Sequence, residues 1–223
     1  MRDSDVRRAV LDWLAGEHAH EMERTRIVEE MGVWSGSVRI DVAVINGSLS
    51  GYELKSDRDT LERLPFQRDL YGRVFDFVHL VVGSRHLEKA TALVPEWWGV
   101  RVAVMCNGAV ELRRHREPQR NPSPDPYLVA QLLWKDEALR VLEAFDLATG
   151  WRSKKIKLIH QRLATELPFD ELQEHVRNAL KARPLEWLKA SSTAPIRCDG
   201  SPRFLPSAPD CPASRLMPLC GLL

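Results

Sequence analysis

The uneven distribution of prolines constrains the fold of this chain more than any other feature. Only two of the 14 prolines, Pro65 and Pro95, fall in the first 117 residues. Four cluster in residues 118–126, and six lie in residues 195–218. Proline cannot donate a backbone hydrogen bond and resists helices and central strands. Regular structure is therefore expected outside the two clusters.

This distribution divides the 223 residues into four parts. A body of about residues 1–116 is followed by a Pro-rich linker at 117–126 and a helical segment at 127–190. The tail at 191–223 carries six prolines and no apolar periodicity. Such a tail cannot bury enough surface to offset its ordering entropy, so it is expected to be disordered.

Strand patterns dominate the middle of the body. Val38–Ile45 and Leu49–Lys55 flank the dipeptide Asn46-Gly47, whose residues both tolerate positive φ. The three together predict a β-hairpin. Phe77–Val82 is a continuous apolar run, typical of a strand that is buried on both faces.

Helical patterns alternate with these strands. Val6, Val10 and Leu14 repeat at helical spacing, and Pro65 suits the first turn of a second helix. Residues 25–31 fit either a strand or a short helix. The order α, (β), β, β, α, β, α, β, β predicts an α/β fold with a mixed sheet covered by helices on both faces. A small helical segment follows it.

Charge and hydropathy limit how this chain could contact nucleic acid or a membrane. A formal net charge of +1 excludes a bulk polycation, so a nucleic-acid contact requires a local basic patch. Residues 113–116 and 154–157 are two such clusters, and a merely solvated surface is the favoured interpretation of each. No apolar run approaches 18 residues, and the N-terminus lacks an apolar signal core. We expect a cytoplasmic protein without a membrane contact.

Ionisable residues occupy both strands of the predicted hairpin near its open end. Counted outward from the turn, Asp41 and Glu53 reach similar positions, and Glu53 and Lys55 share a face because side chains alternate along a strand. Two carboxylates and a backbone carbonyl make an oxygen-rich Mg²⁺ site, which activates water for phosphodiester hydrolysis. Lys55 would orient that water. The alternative is a surface hairpin in which Asp41 and Lys55 form a solvated ion pair, which contributes about 0–1 kcal/mol.

On these residues the chain resembles a known enzyme superfamily. Asp41 and the tripeptide Glu53-Leu54-Lys55, on consecutive strands after a helix, resemble the PD-(D/E)XK phosphodiesterases, the restriction-endonuclease-like superfamily with an αβββαβ core. Gln67 and Tyr71 match the Q-x-x-x-Y motif of its RecB-like branch. Residues 51–65 also look like a narrower, uncharacterised bacterial family that is known by a locus tag only.

The resemblance implies a metal-dependent nuclease. Asp41, Glu53 and the Leu54 carbonyl would bind Mg²⁺, for which Mn²⁺ could substitute, and Lys55 would be the catalytic lysine. Gln67 and Tyr71 would support Lys55 or touch the nucleic-acid backbone. The implied partner is nucleic acid, with DNA favoured, in repair, defence or mobile-element biology; a protein partner or an oligomer stays open. The alternative is an inactive nucleic-acid- or protein-binding module on a nuclease fold.

A third acidic residue is expected before the hairpin, because members of the superfamily often add one there. Glu29 and Glu30 are the candidates. If this segment is a strand, Glu29 shares its face with the apolar residues Ile27, Met31 and Val33. The narrower family has an acidic-Leu-Gly pattern that Glu30-Met31-Gly32 resembles. This favours Glu30, bonded to a metal-bound water or to Lys55.

Overall fold

One mixed six-stranded sheet forms the centre of the molecule. The structure is a computed structural model that describes residues 1–33 and 38–184. The predicted tail at 191–223 lies outside these residues. The strands are β1 (Arg26–Val33), β2 (Val38–Ile45), β3 (Leu49–Lys55), β4 (Phe77–Gly83), β5 (Gly99–Cys106) and β6 (Ala109–Arg116).

The strands lie in the sheet in the same order as in the chain. β1, β2 and β3 form an antiparallel meander, β3, β4 and β5 are parallel, and β6 returns antiparallel to β5. Ile45 pairs with Leu49 across the loop Asn46-Gly47-Ser48, so the predicted hairpin is confirmed, although neither Asn46 nor Gly47 adopts the positive φ that the turn prediction assumed. Of residues 25–31, left open between strand and helix, all but Thr25 belong to β1.

Helices cover both faces of this sheet, which confirms the predicted α/β class with a following helical segment. α1 packs on one face, and α2 with the C-terminal helices packs on the other. The helices are α1 (Asp3–Glu17), α2 (Leu64–Tyr71), α3 (Leu87–Leu93), α4 (Pro126–Ala130), α5 (Lys135–Ala144), α6 (Ile156–Glu166) and α7 (Phe169–Ala182).

Two hydrophobic cores lie on the two sides of the sheet. In the smaller core, Val6, Val10 and Leu14 of α1 are fully buried against the sheet, together with Val42 and Val44 of β2. Burying a side chain of this size contributes about 1.5–3 kcal/mol. The larger core joins the other face of the sheet to α2 and to α4–α7. The helical segment therefore shares its core with the body.

Backbone hydrogen bonds hold the Pro-rich residues 117–126 against the body. The amides of Gln119, Asn121 and Asp125 each donate, at 2.8 Å, to a carbonyl of an earlier turn. The Asn121 side chain also donates to the carbonyls of Gly72 and Phe75, at 2.7 and 2.8 Å. This stretch lacks regular structure, yet it has a defined path to α4.

Buried Asp76, before β4, connects the sheet to the last helix. Its Oδ2 accepts a hydrogen bond from the Leu49 amide at 2.7 Å, and its Oδ1 accepts one from Gln173 of α7 at 2.5 Å. Arg177 lies 3.7 Å from the same carboxylate. A buried carboxylate needs such donors because burial removes its water.

The alternation of side chains in β1 breaks at Glu30. Its φ is 52°, the left-handed region that non-glycine residues rarely adopt. Val28 and Met31, three residues apart, consequently both face the larger core. The predicted shared face of Ile27 with Met31 and Val33 is therefore wrong, since Ile27 packs against the smaller core. Glu29 pairs with Val42 and Met31 with Ile40, so Glu30 lies opposite Asp41.

Candidate functional site

The predicted site residues meet where β2 separates from β3. Pairing of these strands starts at Val42 and Tyr52, one residue beyond Asp41. The Asp41 Oδ2 instead accepts a hydrogen bond from the Leu54 amide at 2.8 Å. Glu53, which is 1% exposed, accepts a hydrogen bond on Oε1 from Lys55 Nζ at 2.5 Å. The structure thus brings the hairpin residues together, as the spacing predicted.

Gln67 and Tyr71 of α2 close the other side of Glu53. The Gln67 Nε2 donates to Glu53 Oε1 at 2.6 Å. The Tyr71 hydroxyl lies 3.0 Å from Glu53 Oε2 and 2.7 Å from the Arg39 carbonyl, so these two acceptors share its proton. Both side chains are buried. They hold Glu53 rather than reaching a surface where a nucleic-acid backbone could lie.

Arg7 of α1 is the member of this cluster that the sequence did not reveal. Its guanidinium donates to the Asp41 side chain at 3.0 Å and to the Asp41 carbonyl at 3.1 Å. The same guanidinium lies 2.8 Å from Glu30. Opposed carboxylates on neighbouring strands repel each other. Arg7 therefore joins Glu30 and Asp41 through a shared cation.

The two glutamates before the hairpin differ in their distance from Arg7. Glu30 is 2.8 Å from it and its side chain is 30% exposed, whereas Glu29 is 3.8 Å away and 49% exposed. Glu30 is thus the acidic residue that the structure adds to the cluster. Its partner in the structure is Arg7 rather than Lys55. No sequence pattern indicates this contact, because Arg7 lies far away along the chain.

Burial controls the electrostatics of this cluster. Loss of water and repulsion from Glu53 raise the pKa of Asp41 to about 7, against the effects of the Leu54 amide, Arg7 and Lys55. Burial also raises the pKa of Glu53, although Lys55 and the hydrogen bonds oppose the shift. Burial opposes the charge of Arg7, but Asp41 and Glu30 outweigh it and raise the Arg7 pKa.

We name Arg7, Glu30, Asp41, Glu53, Lys55, Gln67 and Tyr71 the buried network. Every carboxylate oxygen of Asp41 and Glu53 accepts a hydrogen bond within it. The alternative of a solvated Asp41–Lys55 pair is wrong, because Asp41 pairs with Arg7 and Lys55 with Glu53. Two basic residues of this chain, Arg7 and Lys55, pair with the carboxylates, while the buried Oε1 of Gln67 has no hydrogen-bond partner among the described residues.

Metal binding was predicted for Asp41, Glu53 and the Leu54 carbonyl. Within residues 1–33 and 38–184, no group of three or more His, Cys, Asp or Glu residues could hold a metal ion. The guanidinium of Arg7 and the ammonium of Lys55 already pair with the two carboxylates. Nothing in this arrangement requires Mg²⁺, and the Mg²⁺ site stays a prediction.

The two basic clusters of the sequence differ in their partners. On β6, Arg113 lies 3.2 Å from Glu111, and Arg114 contacts Glu117. Lys154, Lys155 and Lys157, at the start of α6, are exposed, and no carboxylate of the described residues pairs with them. The lysines of the second cluster, unlike Arg113 and Arg114, are therefore available to bind an external anion.

The described part of the chain contains no helix with the length and apolar character needed to cross a membrane. α1, the longest of the described helices at 15 residues, carries charged side chains along its outer face.

Comparison with known proteins gives a different relationship from the one that the motif implied. The family model described as "Bacteriophage P4 protein cII" matches residues 1–194. Protein cII of Enterobacteria phage P4 is 25% identical over 183 residues, covering 82% of this chain and 68% of the phage protein. No solved structure matches this chain.

These matches overturn the resemblance to PD-(D/E)XK nucleases. The predictions of that superfamily, of phosphodiester hydrolysis and of an enzyme are wrong. A carboxylate, a Glu-x-Lys tripeptide and a hairpin form a short pattern, and a buried network of paired charges fits it equally well. The match over residues 1–194 includes all the described residues, and by it the protein belongs to the bacteriophage P4 protein cII family.

Proposed function

We propose that this protein binds duplex DNA without hydrolysing it. The observation that carries the proposal is one strongly basic segment in a chain of net charge +1. Residues 147–165 contain five arginines and lysines and no aspartate or glutamate. A local excess of this size attracts phosphates even when the whole molecule is nearly neutral.

The exposure of this segment supports the proposal. We name the side chains of Arg152, Lys154, Lys155 and Lys157 the basic surface; all four are exposed. Arg152 pairs with Glu143 at 2.5 Å, but no carboxylate of the described chain neutralises the three lysines. Lysines that are hydrated and unpaired can exchange counterions for phosphates without first losing an internal partner.

The position of the lysines adds to the local potential. Lys155 caps α6, whose first turn contains no acidic residue. The N-terminus of a helix already carries partial positive charge, so cations there are unfavourable by about 0.3–1 kcal/mol each. A phosphate beside Lys154, Lys155 and Lys157 would remove that repulsion. The names of the family and of the phage relative state no ligand, so the proposal depends on this charge distribution.

A salt titration of DNA binding tests the proposal. The full chain should bind a labelled duplex with an affinity that falls steeply with salt, because bound phosphates release counterions. The triple variant Lys154→Ala, Lys155→Ala, Lys157→Ala should bind more weakly. Its slope of log affinity against log salt should be shallower by about three, since each lost phosphate contact removes about 0.9.

A control that removes the same number of positive charges elsewhere distinguishes DNA binding by the basic surface from general attraction of DNA to a positively charged protein. Three exposed cations on other elements serve this purpose: Arg8→Ala, Arg63→Ala and Lys89→Ala. This control should keep most of the affinity and slope. Equal weakening by both triple variants, or binding that does not depend on salt, would contradict the proposal. The duplex should remain intact after incubation with Mg²⁺, and its hydrolysis would contradict the non-catalytic role.

A further inference from the structure

Helix α6 presents one polar and basic stripe to solvent along its length. Ile159 and Leu163 are fully buried in the larger core on its opposite side. The stripe consists of exposed residues three or four positions apart, with one adjacent pair, which lie within about 100° of the helix circumference. These residues are Lys157, Leu158, Gln161 and Thr165, and Lys154 lies in the bend just before the helix.

Leu158 and Gln161 add an apolar side chain and a side-chain amide to this stripe, and binding to phosphates alone requires neither. Leu158 is 50% exposed and directly follows Lys157. The side-chain amide of Gln161 is exposed and makes no hydrogen bond to the described residues, whereas the Thr165 hydroxyl donates to the Gln161 carbonyl at 2.9 Å. An amide can bond both N6 and N7 of adenine, and an apolar side chain can contact the methyl group of thymine.

We infer that α6 is the element that enters the major groove of duplex DNA, with Leu158 and Gln161 against base edges; this inference rests on the proposed function. The major groove is about 12 Å wide, and a helix with its side chains is about 10–12 Å across. The 11 residues of α6 make a rod of about 16 Å. The lysines lie at its N-terminal end, where flanking phosphates would be met.

The attachment of α6 to the rest of the molecule suits this role. His160 lies 3.0 Å from the Leu133 carbonyl through its Nε2 and is buried. The Arg162 guanidinium stacks 4.5 Å from the centre of the Trp151 ring, which joins the helix to the preceding loop. The inner side of α6 is therefore fixed by packing while the stripe stays open. A helix fixed in this way can keep its exposed side chains aligned with particular base pairs.

The stripe on α6 should distinguish duplex DNA from duplex RNA and from an anionic membrane. The major groove of A-form RNA is too deep and narrow for a helix, so duplex RNA should compete only through its phosphates. An anionic membrane would use the lysines and Leu158 but would have no partner for Gln161. A requirement for Gln161 would therefore distinguish contact with DNA bases from binding to RNA phosphates or to a membrane surface.

Selection from a randomised duplex pool tests the inference with the full chain. The wild type should enrich a sequence motif. Gln161→Ala and Leu158→Ala should each lose preference at one or two positions of that motif and bind the selected duplex about tenfold or more weakly. Their affinity for unselected duplex and its salt slope should stay close to those of the wild type.

Matched variants outside α6 control for the loss of an amide and of an exposed apolar side chain. Gln119→Ala removes an exposed glutamine after β6, and Met105→Ala removes a side chain that is 52% exposed on β5. Both should keep the wild-type motif. Unchanged thermal unfolding of Leu158→Ala would show that its effect on binding does not come from unfolding.

The outcomes separate this inference from the proposed function. DNA binding without an enriched motif, or a motif that Gln161→Ala and Leu158→Ala leave unchanged, overturns the major-groove role of α6 and leaves DNA binding intact. Equal binding of anionic vesicles and duplex, unaffected by Gln161→Ala, also overturns it. Failure of the wild type to bind any duplex overturns both proposals.

Discussion

The buried network and the basic surface use similar residue types in opposite ways. In the buried network, Arg7 and Lys55 each lie within 3.0 Å of a carboxylate and are largely shielded from water. On the basic surface, Lys154, Lys155 and Lys157 are exposed and meet no carboxylate of the described chain. Paired and buried charges fix a structure, whereas exposed and unpaired charges can bind a partner. Burial and pairing, not residue type, distinguish the two roles.

The largest effect should come from breaking the buried Lys55–Glu53 pair. Lys55→Met keeps the apolar stem but leaves Glu53 without its cation, so the free energy of unfolding should fall by about 3–5 kcal/mol. Denaturant titration measures this change. Lys157→Met, the matched variant on the basic surface, should change it by less than about 0.5 kcal/mol. Similar losses in the two variants would remove the difference between the regions.

Loss of Arg7 should have the next largest effect. Arg7→Met leaves Glu30 and Asp41 opposed on neighbouring strands, and the free energy of unfolding should fall by about 1.5–3 kcal/mol, the value typical of hydrogen bonds to charged groups. Denaturant titration of Arg7→Met, Asp41→Asn and the double variant measures their coupling. If the two single effects simply add, the Arg7–Asp41 contact contributes nothing to folding.

The predicted Mg²⁺ site can be tested on the same variant. Arg7 occupies the face of Asp41 that a cation would need, so Mg²⁺ should raise the melting temperature of Arg7→Met more than that of the wild type. Thermal unfolding with and without Mg²⁺ measures the difference. A larger shift in the wild type would show that a metal binds beside Arg7 rather than in its place.

A smaller effect should appear in the pH dependence of stability. The Asp41 pKa is raised from 3.8 to about 7 in the folded protein. Its stabilising contribution is then fully present below about pH 4 and is lost as the pH rises through about 7. Asp41→Asn, which cannot ionise, should gain stability relative to the wild type between about pH 4 and pH 8. A constant difference across this range would contradict the raised pKa.

The smallest effect should separate Glu30 from Glu29. Glu30→Gln weakens the 2.8 Å contact with Arg7 and should lower the free energy of unfolding by about 1 kcal/mol. Glu29→Gln alters an exposed side chain 3.8 Å from Arg7 and should change it by less than about 0.5 kcal/mol. Denaturant titration of both variants ranks them. The reverse order would mean that Glu29 is the partner of Arg7.

Local patterns predicted much of the fold. The Asn46-Gly47 turn and the apolar run at 77–82 identified β2, β3 and β4, since turn chemistry and continuous burial are encoded by neighbouring residues. Residues 113–116, noted in the sequence only as a basic cluster, are the last residues of β6. Its charged outward residues hide the strand pattern, because an edge strand need not be apolar.

The candidate site was predictable only in part. The shared face of Glu53 and Lys55 followed from their spacing of two along one strand, but their ion pair was not predicted. The left-handed Glu30 was not predictable, because alternation along a strand assumes ordinary φ values. The chemistry drawn from this pattern was wrong, since three residues on a hairpin do not say whether a cation of the chain already neutralises them.

The sequence alone determined the α/β class, the hairpin and the positions of two basic clusters. These properties depend on periodicity, turn residues and composition within short segments. Only the tertiary structure decided which charges are paired. Arg7 reaches Asp41 across 34 positions of the chain, and Lys154, Lys155 and Lys157 stay free of described carboxylates because α6 faces outward. Pairing depends on distance and burial, which are properties of the folded chain.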